Sequence, residues 1–341
     1  MTTSSTTTGL RVEPVAGHIG AEVSGVDLTQ PLSSATVAAL KKALLTYKVL
    51  FFHGQHLDHA AHVALARQFG TPTAADPHEP GIDPQFPEIL TVDPRVDEHR
   101  YGEDFEERFR RRRRHFLSGW HIDNSATVNP PAASILRADI VPAYGGDTHW
   151  TNLVAAYEGL SPPLRRLVDG LWAQHQFLAG FDMPAHDPQV ASILTVINAR
   201  PHIAEHPVVR VIPETGERAL FLSPSTTSHI VDLTTAESAH LLDLLYQQLA
   251  RDEYRVRLRW RPGTVAMWDN RTTAHLAALD HSHLNVQRRL YRVTLTGDVP
   301  VSPDGRPSRV LSGELFTSSG HPDGSGPTGS ALLPEQAAGR C

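Results

Sequence analysis

The most legible stretch of the chain is 254–260, Tyr-Arg-Val-Arg-Leu-Arg-Trp, where apolar residues and arginines alternate without a break. A period of two marks a strand with one face buried and the other in water. Val49, Leu50, Phe51 and Phe52 form an uninterrupted apolar run instead, which reads as a buried strand. Just before it, Val37, Leu40, Leu44 and Leu45 recur at helical spacing behind Ser/Thr cap candidates, predicting a helix over 34–47. A second helix is expected over 58–69, stopped by Gly70, and others over 164–174 and 235–251. Further strands are expected at 10–15, 22–28, 89–92, 133–137, 264–268 and 289–296. The Pro213-Glu214-Thr215-Gly216 turn between 208–212 and 219–222 reads as a hairpin, and Pro, Asp and Gly make 71–87 a loop.

Many short strands with a few long helices predict a mainly β fold with flanking helices, an antiparallel double-sheet jelly roll rather than alternating βαβ units. No repeat and no Gly-rich nucleotide-binding loop interrupts that pattern. A single domain over 10–311 is expected between a Ser/Thr tail at 1–9 and a flexible Gly/Ser/Pro-rich tail at 312–341. Residues 94–119 stand out, because Glu103, Asp104, Glu106 and Glu107 precede Arg108 and the run Arg110 to Arg114. Two readings stay open: a solvated helix with opposite charges in register, or a lid whose arginines meet an anionic substrate.

Composition narrows the partners. Hydrophobic residues make up 40% of the 341, against 20% charged, enough for a sizeable core. The net charge of −6 argues against a general electrostatic grip on nucleic acid or on an anionic membrane. A small-molecule partner is expected, with the oligomeric state, homo-oligomer included, left open. Cys341 is the single cysteine, so neither an internal disulfide nor a thiolate metal cluster is available. With no signal segment and no long apolar span, a cytoplasmic location is expected.

The 20 histidines are the unusual count, and they make any histidine motif cheap. Twenty histidines and 21 aspartates predict about one His-x-Asp spacing by chance. Three occur: His56-x-Asp58 at a helix start, His321-x-Asp323 in the Gly/Ser tail, and His121-x-Asp123 in the apolar frame Gly119-Trp120-His121-Ile122-Asp123. On a strand, residues two apart share a face, so His121 and Asp123 could grip one metal ion. Two histidines and a carboxylate on one face leave three coordination sites open, the arrangement of non-haem Fe(II) oxygenases, and His275 is the candidate third ligand. Arg288, thirteen residues on, offers a planar fork suited to a carboxylate.

These residues lie within a broader resemblance. Trp120-His121-x-Asp123, 131–138, Gly145-Gly146-Asp147-Thr148-x-Trp150, Ala155-Ala156-Tyr157-Glu158, Trp268-Asp269-Asn270-Arg271 with His275, and Arg292-Val293-Thr294-x-x-Gly297-Asp298 fall in order along 10–299. The chain thereby resembles the TauD/TfdA family of Fe(II)- and 2-oxoglutarate-dependent dioxygenases. The resemblance implies a double-stranded β-helix. It implies iron held by His121, Asp123 and His275, and 2-oxoglutarate held at its distal carboxylate by Arg288 and Thr148. It also implies O2 as co-substrate and ascorbate as a stimulant.

For the organic substrate the resemblance implies Arg292 as a receptor for an anionic group and Phe181 as an aromatic wall. Where taurine-oxidising members carry an anion-binding histidine this chain has Ala75, and where they carry a second aromatic it has Ser225. A pocket missing both is larger, so the expected substrate is an organic acid bulkier than taurine, such as a terpenoid lactone or acid of antibiotic biosynthesis. An alkylsulfonate, sulfate ester or aryloxy acid stays open. Outside this chemistry, a non-catalytic metal-binding jelly roll and a metallohydrolase are the alternatives. Arg271 is expected to brace the loop carrying His275, and His149 is undecided. His53, His59, His62, His175, His206, His240, His281 and His283 are expected on helix faces, at caps or in loops.

Overall fold

The computed structural model describes residues 9–78, 81–278, 280–284 and 286–318. The Ser/Thr tail apart from Gly9, most of the Gly/Ser tail, and His321 with Asp323 lie outside these residues.

A seven-stranded sheet runs in the order Arg11–Pro14, Ala21–Ser24, Val49–Phe52, Val265–Asp269, Ala133–Ile140, Arg289–Leu295, Leu90–Val92. The apolar run at 49–52 is central to it, paired in parallel with Ala21–Ser24 and antiparallel with Val265–Asp269. Alternation explains why every residue of that run is apolar. Leu50 and Phe52 point into a core shared with Leu40, Leu44, Val63 and Leu65 of the helices Ser34–Tyr47 and His59–Phe69. Val49 and Phe51 point the other way, to Trp150, Val256, Leu258 and Trp260. A strand covered on both faces has no polar side to offer. Both helices start at side-chain caps, Ser33 accepting from the Thr36 amide and Asp58 from the Ala61 amide.

The opposite sheet is built from Arg255–Leu258, Thr148–Asn152 and Thr273–Ala277. Its strand Arg255–Leu258 shows the expected alternation, with Val256 and Leu258 buried and Arg257 exposed. Together the two sheets make the jelly roll. A four-stranded sheet, Thr227–Ile230, Trp172–Gln176, Ile203–Pro207 and Arg309–Ser312, extends the body. The hairpin Val209–Val211/Arg218–Leu220 forms as read. So does the helix Thr235–Leu249, opened by a capping box between Thr234 and Glu237.

The expected helix over 164–174 is corrected. The helix is Pro162–Val168, the chain turns at Gly170, and Trp172–Gln176 is a strand paired on both sides. Leu164, Val168 and Leu171 suit a helical face, but two neighbouring strands outweigh that local preference. His175 and His206 are likewise neither capping nor loop residues: both lie on these strands, fully buried, with ring centroids 5.0 Å apart. Residues 312–318, expected in the tail, lie against the body. Phe316 is buried, its amide donates to Asn129 Oδ1 at 2.8 Å, and Asn129 Nδ2 donates to its carbonyl at 3.0 Å. Among the described residues no helix is long and apolar enough to cross a membrane.

Candidate metal centre and active site

His275 lies mid-strand in Thr273–Ala277, opposite Trp150, and its ring packs on Trp268 at 4.8 Å between centroids. His121 is bound to it through the backbone: the His121 amide donates to the His275 carbonyl at 2.9 Å and the His275 amide to the His121 carbonyl at 2.8 Å. The 119–123 segment is therefore a single bridge, not the expected strand, and it turns at once, Asn124 taking φ 49°. That turn swings Asp123 beneath the two rings, whose centroids are 4.0 Å apart. Asn270 holds the turn. Its Oδ1 accepts from the Asp123 amide at 2.9 Å, and its Nδ2 donates to the carbonyls of Asp123 and Pro131, each at 3.0 Å.

One ligand atom from each of His121, Asp123 and His275 falls within 4.8 Å of the others. Asp123 Oδ1 lies 3.9 Å from His121 Nε2 and 3.6 Å from His275 Nε2. His121 Nδ1 sits 3.1 Å from the Gly119 carbonyl, which fixes the proton there and leaves the Nε2 lone pair facing Asp123. Burial holds both imidazoles below their ordinary pKa, with Asp123 opposing it for each and His121 adding to it for His275. Burial pushes the Asp123 carboxyl up, but the Arg292 charge beside it, with the Ser134 hydroxyl, lowers it and keeps the group ionised. Two neutral imidazoles and a carboxylate with converging lone pairs are a donor set suited to a divalent transition metal. Asp123 Oδ2 accepts from Ser134 Oγ at 2.6 Å, and Oδ1 pairs with Arg292.

His121 and Asp123 open onto a cavity of about 370 Å³, also lined by Phe181, Ser225 and Arg292. Ala75 does not reach it. The chain at 73–76 runs so that the buried Ala75 donates its amide to the Pro87 carbonyl, and the neighbouring Asp76 lines the cavity instead. Thr148 and Arg288 do not line this cavity; Thr148 lies on the strand paired with the one that carries His275. Thr148 pairs with Ala277, a cavity residue, and its hydroxyl accepts from Trp260 Nε1 at 2.9 Å. The buried Arg288 donates from Nε to the Gly146 carbonyl at 3.1 Å, two residues before Thr148. Gly146 has φ +69°, and a β-carbon there would stand 3.0 Å from Arg288 Nε, so the glycine permits this approach. A buried guanidinium suits a carboxylate-bearing co-substrate. Arg271 braces its loop through Asp269 and Glu214, as expected.

Two contributors escape sequence reasoning. Asn270 is visible only as part of a motif block, and its clamp on residues 123 and 131 appears once the chain is folded. The other is Arg113, which the sequence offers only as one of the arginine run, on the open reading of a lid whose arginines meet an anionic substrate. It bridges to Phe181 and lines the cavity, and its guanidinium lies against Gly119, where a β-carbon would stand 2.7 Å from Cζ. Its Nε is buried without a hydrogen-bond partner among the described residues, and burial, with Arg110 nearby, lowers its pKa. Of the others in the run, Arg110 and Arg111 pair with Glu107, and Arg112 with Asp187.

A jelly roll carrying a His/Asp/His group at the rim of one sheet defines the class of non-haem metal oxygenases. Residues 11–294 match the family described as taurine catabolism dioxygenase TauD, TfdA family, and the chain belongs to it. It is a 2-oxoglutarate-dependent dioxygenase. It is 41% identical to an α-ketoglutarate-dependent sulfate ester dioxygenase of Pseudomonas putida, over 88% of this chain and 94% of the relative. An alkylsulfatase of Acinetobacter baylyi is 33% identical over 87% and 88%. A crystal structure of a taurine dioxygenase from Burkholderia xenovorans superposes with a TM-score of 0.76 at 44% identity, covering 89% of this chain and 95% of that one.

Proposed function

We propose that the enzyme oxidises organic sulfate esters at the carbon bearing the ester oxygen. The observation that carries this reading is Arg113, a half-buried cation facing the cavity with no acidic group among the described residues offsetting its burial. A buried charge in that condition is costly unless a ligand of opposite sign completes it. Arg292 also faces the cavity but is engaged by Asp123, which leaves Arg113 as the principal receptor for the sulfate. The two sulfate-ester-related relatives support the same class. The sequence alone favours a bulky metabolite on the strength of Ala75 and Ser225. Ala75 lies outside the cavity, so half of that argument falls and sulfate esters take precedence.

Iron held by His121, Asp123 and His275 would supply the oxidant from O2 and 2-oxoglutarate, one oxygen atom going to succinate as CO2 leaves and the other to the substrate carbon. Asn270 and Ser134 hold Asp123 in place for this. Arg288 and Thr148 would bind the distal carboxylate of 2-oxoglutarate. Arg113 would set the sulfate so that the adjoining CH2 lies beside the triad, and positioning of this kind decides rate by orders of magnitude. At that carbon a C–H bond gives way to C–OH. The product collapses as its C–O(sulfate) bond breaks with the electron pair leaving on sulfate, the hydroxyl proton passes to water, and an aldehyde remains.

The test is stoichiometry. With an alkyl sulfate, succinate, free sulfate and aldehyde should appear in equal amounts, and Arg113→Met should raise KM for the ester at least tenfold while substrate-independent succinate formation persists. Tightly coupled oxidation of taurine in preference to any sulfate ester would sink the reading.

A further inference from the structure

We propose that a second cavity, adjoining the first, is a binding chamber for the hydrocarbon tail of an elongated alkyl ester, which would span both cavities with its anionic head at Arg113. The proposal rests on the sulfate-ester reading and adds the shape of the ester. The chamber has a volume of about 290 Å³, and Phe105, Phe109, Phe177 and Leu178 face both cavities. Its own wall is aliphatic, formed by Ile82, Val92, Val96, Ile193, Val196 and Ile197. These come from the strand Leu90–Val92, the helices Pro94–Tyr101 and Pro188–Ala199, and the loop before them, so it is enclosed by segments far apart in sequence. Gln189 ties the two helices together, donating to the Tyr101 carbonyl at 2.5 Å.

A row of rings connects the two spaces. Tyr101 and Phe105 lie 5.0 Å apart between centroids, Phe105 and Phe109 5.5 Å, and Phe109 and Phe181 4.2 Å, the last two pairs stacked. Tyr101 lines the chamber and Phe181 the cavity beside the triad, so the row offers an apolar track from one to the other. Around the chamber Asp76, His78, Asp97 and Arg100 are all engaged within the protein, which makes them poor receptors for a second polar group. What such a wall rewards is hydrocarbon, at about fourfold in affinity per methylene buried. The charge at one end and the hydrocarbon space at the other match an amphiphile.

The experiment is a series of linear alkyl sulfates from butyl to decyl, below micellar concentration, tested on the iron-loaded enzyme with 2-oxoglutarate and on Val196→Trp and Ile197→Trp, each of which fills the chamber from a different position. KM should fall about fourfold per added methylene until the chamber is full. The filled variants should retain kcat/KM for butyl sulfate and lose at least thirtyfold for decyl sulfate. Indifference to chain length in the unmodified enzyme overturns the proposal, and so does an equal loss for butyl and decyl in the filled variants, which would make the chamber a passage. Calorimetric binding of alkyl sulfates and alkyl carboxylates of the same lengths separates this from the reaction. Tail-dependent binding abolished by Val196→Trp, without oxidation of any sulfate, would uphold the chamber and sink the sulfate-ester reading.

Discussion

Asp123 has two oxygens and three claims on them. Oδ2 is taken by Ser134, while Oδ1 faces the two Nε2 atoms and also meets Arg292. The serine hydroxyl fixes which oxygen is presented, and outer partners of this kind usually tune metal affinity by ten- to a hundredfold. Ser134→Ala should therefore weaken Fe(II) or Mn(II) binding by about that factor, measured by metal titration, with little change in thermal stability. Arg288 and Arg292 separate by what surrounds them. Arg288, away from the cavity, should when changed to Ala raise KM for 2-oxoglutarate at least tenfold and leave metal affinity unchanged. Arg292, touching Asp123, should on truncation alter metal affinity as well as substrate binding. Unchanged metal binding in an Arg292→Ala variant would show that the contact with Asp123 is not kept in solution.

At the level of elements, the centre depends on the link between the two sheets clamping another segment. Asn270 follows the strand Val265–Asp269 and closes three buried hydrogen bonds to residues 123 and 131. Asn270→Ala should cost about 2–4 kcal/mol, because it leaves the Asp123 amide and two carbonyls unsatisfied in a dry interior; urea unfolding would measure it, and metal affinity should fall with it. Sequence reasoning reached His121, Asp123 and His275 because the spacing and its apolar frame are local. It also reached most of the main sheet, because alternation and unbroken apolar runs are imprinted residue by residue. It misjudged the backbone between the ligands, a bridge and left-handed turn instead of a strand, because a single bridge has no period. Nothing in the periodicity of 177–207 announces the helix Pro188–Ala199 or the strand Ile203–Pro207, whose partners lie on either side in space. Ala75 stands outside the cavity because a position matched by resemblance does not carry how the loop folds back onto Gly81 and Pro87.

The whole molecule carries a pH liability unconnected with its reaction. His62 and His206 are fully buried, and burial lowers each to about 3; burial, with His206 adding, holds His175 well below its ordinary value. They fold as neutral rings. His62 Nε2 lies 3.1 Å from the Ile135 carbonyl, and His206 Nε2 lies 2.9 Å from that of Ser125. Unfolded histidines take up protons near pH 6.5, so stability is full above that and is lost as pH falls towards 3. Each should cost about 2 kcal/mol between pH 7 and 5, roughly 4 kcal/mol for His62 and His206 together. Unfolding midpoints across this range, with proton uptake, would check it; a flat profile above pH 5 would contradict the burial of these rings.

Three of the four rings in the row come from one stretch, 94–111, and the aliphatic wall of the proposed tail chamber from Ile82, Val92, Val96 and the helix Pro188–Ala199, whereas the metal-binding candidates stand on the jelly roll and its adjoining turn. Substrate scope and reaction chemistry are thus carried by separable parts of the gene. Changes confined to 94–111 and the helix Pro188–Ala199 could retarget the enzyme to a different chain length without disturbing the residues that would hold the metal. Drift in those segments is a ready route by which one inherited chemistry could be spread over many substrates.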